Sequence, residues 1–226
     1  MRRPAALLTG LLAPGLAALA TLLGAPAAPR AAAPPTLAID AAGSELRFTI
    51  TRPGETIDGH AHEFTGEVAV DPARPGEGSS VVLRVRSASL ETGNRMRDRK
   101  MRNTHLEVER FPEIVFSSTS IRLSADGEAE AAPGPLRPGE PRKALVEGVL
   151  ALHGVERTIL FPVAIRYDTG SLTAEGDVTL RLTDHAIPIP RFLWIVLDDE
   201  VKLHFRFEAG PRPGPGAAET ETNRAP

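Results

Sequence analysis

The sequence predicts an all-β fold: eight antiparallel strands closed into a barrel, with one short helical insertion. Three observations carry this. Strand-like segments place apolar residues at every second position, which gives each strand one dry and one wet face. Short links rich in turn-forming residues separate most of them, and short links make neighbours antiparallel. A single basic stretch breaks the alternation and takes up a longer, helical period. Closing the sheet on itself removes the exposed edges that invite pairing with other chains. A sandwich of two sheets satisfies the same periodicity and stands as the alternative.

The segments follow in order. SELRFTI (44–50) alternates Leu46, Phe48 and Ile50 with Glu45, Arg47 and Thr49. HEFTGEVAV (62–70) comes next, and Asp71-Pro72 and Pro75-Gly76 divide it from SSVVLRVRSASL (79–90), where Val81, Leu83 and Val85 alternate with Val82, Arg84 and Arg86. The period then lengthens from Asn94 to Val108, with Met96, Met101, Leu106 and Val108 among Arg95, Arg97, Arg99, Lys100 and Arg102. This reads as a short, imperfect helix, and Pro112 stops it because the residue before a proline avoids helical geometry. EIVFSSTSIRL (113–123), KALVEGVLALH (143–153), RTILFPVAIRY (157–167) and SLTAEGDVTLRL (171–182) continue the sheet. His153-Gly154 and Asp168-Thr169-Gly170 mark tight hairpins, and DGEAEAAPGPLRPGEPR (126–142) reads as a long mobile loop. EVKLHFRF (200–207) closes the set, with Val201, Leu203, Phe205 and Phe207 on its dry face.

The ends belong to processing and disorder. Arg2-Arg3, the apolar run from Ala5 to Leu23 and the small residues after it have the layout of a secretory signal peptide over residues 1–28, with Ala25-Pro26-Ala27 as a cleavage site. Residues 29–35 read as a linker and the barrel domain spans 36–208, which places the mature protein in the periplasm or outside the cell. Residues 209–226 are rich in Pro, Gly and polar residues and predict a loose tail. The mature chain of about 198 residues is long enough for one domain with its own core. The chain has no cysteine, so disulfides, covalent haem attachment and N-terminal lipidation are excluded. A formal net charge of −3 argues against a nucleic-acid partner.

Eight strands are about the number that leaves room for one small ligand inside a barrel. The dry residues are mostly Val, Leu and Ile, and the few large rings leave an apolar cavity open to consideration. From the pattern alone, a core filled by its own side chains is the simpler expectation.

Four blocks of the mature chain together resemble the YceI-like family. LAIDAAGSELRFTI carries Ile39-Asp40, Ser44 and Phe48, and HEFTGEVAVD carries Phe64, Gly66 and Asp71. SASLETGNRMRDRKMRNTHLEVERFPEIVFSS is the most distinctive, with Ser89, Thr92, Arg97-Asp98, Leu106, Pro112, Ile114, Phe116 and Ser118. VEGVLALHGVERTILFPV supplies Gly148, Leu150, Leu152, Gly154-Val155 and Pro162. The resemblance covers roughly residues 36 to 208. It implies a lipocalin-like, eight-stranded antiparallel barrel that holds a long isoprenoid chain, an isoprenoid quinone or polyprenyl lipid, and is exported. The chain departs from the family in having Thr51-Arg52-Pro53 where a histidine is common, and in the length of the 126–142 loop.

The alternation nominates the wall of such a cavity. Phe48, Ile50, Phe64, Val68, Leu83, Val85 and Phe116 come from the first half of the chain; Leu150, Phe161, Val163, Leu180, Leu203 and Phe205 come from the second. Met96 and Met101 are expected to anchor the basic segment as a lid across one end, since methionine adapts to irregular gaps. His60 and His62 would share the inner side with Phe64, Val68 and Val70 if strand geometry held there, so His62 or a rim arginine is expected to meet a polar head. The same H-x-H could hold a metal if a third ligand existed. The basic cluster reads as a solvated helix face with internal ion pairs, or as a transient contact with an anionic membrane. Arg191-Phe192-Leu193-Trp194-Ile195-Val196 reads as a loop packed on the barrel end. No nucleophile elbow, H-E-x-x-H or phosphate loop occurs, and no cofactor is implied. The reading is therefore a binding protein; a homodimer is compatible with the sequence. A His-dependent metalloprotein and a filled barrel acting as an envelope interaction module are the alternatives.

Overall fold

The computed structural model describes residues 33–124, 134–192 and 195–212. The expected signal peptide, the linker up to residue 32, residues 125–133 of the long loop, Leu193-Trp194 and the tail from residue 213 lie outside the described residues. Strands β1 (Thr36–Arg52), β2 (Glu55–Ala61), β3 (Phe64–Ala69), β4 (Ser80–Arg86) and β5 (Leu90–Glu91) precede helix α1 (Arg95–Lys100). After it come β6 (Glu113–Ser124), β7 (Pro141–Leu152), β8 (Val155–Asp168), β9 (Ser171–Arg181), the ribbon of β10 (Arg191–Phe192) and β11 (Ile195–Val196), and β12 (Glu200–Pro211). Eight of these form a closed antiparallel ring, β1–β3–β4–β6–β7–β8–β9–β12, and β12 pairs back onto β1 to seal it. The sandwich alternative is thereby set aside.

Alternation sets which side chains face inward. Along β7, Ala144, Val146, Gly148, Leu150 and Leu152 are buried, while their neighbours are half-buried or exposed. In β12, Phe205, Phe207 and Ala209 are buried, and Leu203 pairs with Phe48 of β1 on one side and Val178 of β9 on the other. The turn between β7 and β8 is two residues long, His153 and Gly154, both with positive φ (53° and 75°). Two left-handed residues match the twist of a tight hairpin, which is why Gly is suited to the second position.

The structure moves several boundaries. β1 begins eight residues before Ser44, because Ala41-Ala42-Gly43 form a bulge where the register with β12 shifts between Asp40 and Glu45. Asp40 accepts from the Ala42 amide (3.1 Å) and Ser44 Oγ accepts from the Glu208 amide (2.9 Å), which satisfies backbone the bulge frees. Residues 55–61, which the sequence reading leaves between its first two strands, form β2. β2 pairs with the second half of β1 and β3 with its first residues, so the two make one strand interrupted at His62-Glu63. β4 likewise ends at Arg86, and a 3-10 turn over Ser87–Ser89 separates it from β5. β12 runs to Pro211, three residues into the stretch expected to be tail, because Leu37 to Ile39 of β1 pair with Ala209 to Pro211.

Part of the 126–142 segment is also ordered core. β7 starts at Pro141, and Leu136 is buried with its amide donating to the Pro72 carbonyl at 2.7 Å. With Pro75, among the most deeply buried side chains, Leu136 closes the barrel end that β1 enters and β12 leaves. The opposite end carries α1, a π-helical turn at Met101–His105 and the β10–β11 ribbon.

Candidate functional site

The interior is hollow. A cavity of about 770 Å³ runs through the barrel, so a core filled by its own side chains is not what this sequence builds. Its floor is Val70, Pro75, Leu123, Leu136, Leu172 and Ala209. Its middle is a belt of aliphatic residues and phenylalanines. Phe116 and Phe161 lie 5.5 Å apart between ring centroids, and Phe161 and Phe205 lie 5.9 Å apart, edge to face.

Glycines keep those rings against the wall. Gly148 and Gly176 are inward positions, and a Cβ on Gly148 would fall 2.5 Å from Cζ of Phe116, one on Gly176 2.8 Å from Cζ of Phe205. Gly59 stands in the same relation to Phe48, its cross-strand neighbour. Each ring edge thus occupies the space a Cβ would fill and does not project into the lumen.

Most of the residues nominated from alternation line this cavity. Phe48 and Ile50 reach it from β1, Val68 from β3, Leu83 and Val85 from β4, and Phe116 from β6. Leu150, Phe161, Val163, Leu180, Leu203 and Phe205 complete the ring from β7, β8, β9 and β12. Phe64 is buried and points inward but does not border the cavity; it packs edge-on against Phe207, which does, at 5.6 Å. His62 is not on the wall. The break at His62-Glu63 resets the alternation, so His60 and His62 are exposed while Phe64 points inward. Their rings stack at 6.3 Å, and each faces its own carboxylate, His60 toward Glu45 (3.9 Å) and His62 toward Glu91 (3.5 Å). Among the described residues no group of three or more His, Asp or Glu could hold a metal ion.

The mouth is polar where the floor is not. Arg52, Glu55, Arg97, Lys100, Arg181 and Arg191 border the cavity there, whereas Ser79 is the polar residue at the other end. The segment across the mouth is held by polar contacts, not by both methionines. Asp98, buried, accepts from the Thr92 amide (2.9 Å) and hydroxyl; Arg97 donates to the Thr92 hydroxyl (2.7 Å) and carbonyl (3.0 Å). Arg102 forks onto the Leu90 carbonyl at 3.0 and 2.8 Å, and Asn94 caps α1 by accepting from the Met96 and Arg97 amides. Met101 is half-buried on the cavity wall, but Met96 is 83% exposed and stands on the rim.

Sequence reasoning missed His105, which borders the cavity four residues after Met101, one helical turn along the same face. Both its ring nitrogens are buried without a hydrogen-bond partner among the described residues. Burial, and then the Lys100 charge, lower its pKa, against a smaller opposing effect of the Pro188 carbonyl. A neutral imidazole there can both donate to and accept from a polar group in the mouth.

Comparison with known proteins agrees with this geometry. The YceI-like domain matches residues 37–209. A UPF0312 protein of Pseudomonas putida (strain F1) is 28% identical over 154 residues, 65% of this chain and 72% of that protein. One from Ectopseudomonas mendocina is 28% identical over 160 residues, 66% of this chain and 75% of that protein. Among solved structures, Burkholderia cenocepacia BcnA superposes with a TM-score of 0.63 at 20% identity, covering 75% of this chain and 98% of its own. A polyisoprenoid binding domain from Saccharophagus degradans, implicated in plant cell wall breakdown, gives 0.62 at 16% identity, covering 77% and 98%. At these identities the two structures establish a shared fold.

Proposed function

The chain belongs to the YceI-like domain family, and on that footing we propose that it is a binding protein which holds an isoprenoid-type or other amphiphilic lipid in its barrel. The observation that carries this is the cavity: long, apolar through floor and middle, polar at the mouth. Left dry, an opening of about 770 Å³ would cost on the order of 20 kcal/mol at ~24 cal/mol per Å³, more than a domain's typical ~5–15 kcal/mol of stability. Water filling it would find few hydrogen-bond partners below the rim. An apolar chain satisfies the walls, gaining roughly 0.8 kcal/mol per buried CH₂. The volume lies within the ~300–1,000 Å³ usual for small-molecule sites.

The polarity gradient favours one orientation. The tail lies toward Leu136 and Pro75, and the head meets His105 and the cations of the mouth. The neighbour from Saccharophagus degradans, described as polyisoprenoid binding, supports an isoprenoid tail. The N-terminal sequence supports export, and we place the working protein in the periplasm or outside the cell. The reading is carriage of a ligand.

Mass spectrometry on solvent extracts of protein purified natively from an exporting host tests this. A stoichiometric long-chain isoprenoid is the expected result. An extract free of lipid, repeated after such lipids are offered, would refute it. Leu83→Trp, at mid-wall opposite Phe116, should exclude the lipid while the barrel remains folded.

A further inference from the structure

The rim of the mouth is itself a surface. Met96 is the most exposed large apolar side chain among the described residues, at 83%, and it borders the cavity from α1. Val196 of β11 is also exposed. Lys100 Nζ donates to the Arg191 carbonyl at 2.9 Å, which ties α1 to the β10–β11 ribbon, so the two apolar side chains stand on neighbouring elements at one end of the barrel.

Exposed cations share these elements. Arg95, Arg99, Lys100 and Arg191 are all exposed, and among the described residues none of the four enters an ion pair. The arginines of the side wall behave differently: Arg84 faces Glu113, Arg86 faces Glu63 and Arg206 faces Glu208. The chain as a whole carries a formal charge of −3, so this positive rim runs against the protein's own balance. Unpaired cations on the same elements as an exposed thioether and a valine match a membrane interface. There the apolar tips enter the acyl boundary, and the charged heads reach anionic lipid on long stems.

We propose that the rim made by α1 and the β10–β11 ribbon docks on the anionic surface of a lipid bilayer. Docking holds the mouth against the source of its ligand, so that an amphiphile passes between bilayer and barrel without crossing water. The transfer step rests on the carrier reading; the docking does not.

The test is flotation of the natively purified protein with phosphatidylcholine vesicles, with and without phosphatidylglycerol, at low and high salt. Binding to the anionic vesicles alone, weakened by salt, is expected. Each cation at such a surface contributes roughly fivefold in affinity, so Arg95→Glu with Arg99→Glu should lose about 25-fold or more. Neither arginine borders the cavity, so that variant should keep the thermal midpoint and the uptake of isoprenoid offered in detergent. Val196→Asp should also weaken flotation. Equal binding to neutral and anionic vesicles, no binding to either, or flotation unchanged by the charge reversal would overturn the proposal. So would capture of the rim by an envelope protein with no affinity for vesicles. Loss of detergent uptake in every form, with flotation intact, would sink the carrier reading and leave the docking standing.

Discussion

Gly176→Ala asks whether glycines on the wall hold the lumen open. A Cβ there would lie 2.8 Å from Cζ and 3.1 Å from Cε1 of Phe205, with the Pro162 carbonyl oxygen at 2.9 Å. Carbon atoms prefer about 3.5–4.0 Å, so the ring edge must retreat by roughly 0.7–1 Å. The carbonyl blocks the wall side, and the ring swings into the cavity. Overpacking of this kind costs about 1–3 kcal/mol, against a gain of about 0.5–1 kcal/mol from removing a glycine inside a strand. The net loss centres on about 1 kcal/mol, which corresponds to a fall of about 2–4 °C in Tm for a domain of this size. Lipid uptake should fall with it, because the displaced ring takes up lumen. In the Phe205→Leu background the ring's share of the clash is gone, so a double-mutant cycle should show coupling of roughly 0.5 kcal/mol or more. Calorimetry and lipid uptake on the four proteins decide the matter. An alanine variant as stable as the parent, or one additive with Phe205→Leu, would refute the idea that glycine places the ring.

Three further outcomes are expected. Leu136→Ala truncates one of the floor's buried side chains and should cost about 2–5 kcal/mol in urea titration, with faster ligand escape; a loss below about 1 kcal/mol would mean Leu136 is not part of the core. Asp98→Ala deletes the acceptor for the Thr92 amide and hydroxyl and should speed hydrogen exchange across residues 94–105, whereas exchange confined to its parental rate would deny Asp98 its anchoring role. His185 is almost wholly buried, and burial lowers its pKa, so below about 6.5 the unfolded chain binds the proton first. Its contribution to stability is complete above about pH 6.5 and is lost as pH falls toward the lowered folded value. His185→Gln should therefore flatten Tm against pH below about 6.5 relative to the parent, and parallel curves for the two proteins would refute the assignment.

The barrel was legible because period-two alternation is a local signal and the hairpin links at His153-Gly154 and Thr169-Gly170 are short enough to impose their geometry. What escaped were features decided across strands. β2 falls between the first two segments read from the alternation, with Gly54, Asp58 and Gly59 weakening its strand character; it is a strand because β1 offers it partners from Arg47 to Arg52, and because Gly59 leaves room for the Phe48 ring. Alternation counted outward from Phe64 put His62 inside, yet one interruption at His62-Glu63 turned both histidines to solvent. Leu136 sits in a stretch of Pro, Gly and charge with no period at all, and only the Pro72 carbonyl and the open barrel end make it core.

Hollowness was the least legible property, and the glycines explain why. Counting rings measured how much side chain could fill the interior, and by that measure a filled core was the simpler expectation. Volume is set instead by where the rings lie. Phe116 and Phe205 are as apolar on the wall as they would be in the centre, and the difference is made by Gly148 and Gly176 on neighbouring strands. Each glycine weakens its strand, by roughly 0.5–1 kcal/mol against alanine, and in return lets a ring lie back. A barrel selected for stability alone would fill those positions. Keeping them empty lines the cavity with rings while leaving room for a chain to thread past, and that links the proposed carrier function to the residues with no side chain at all.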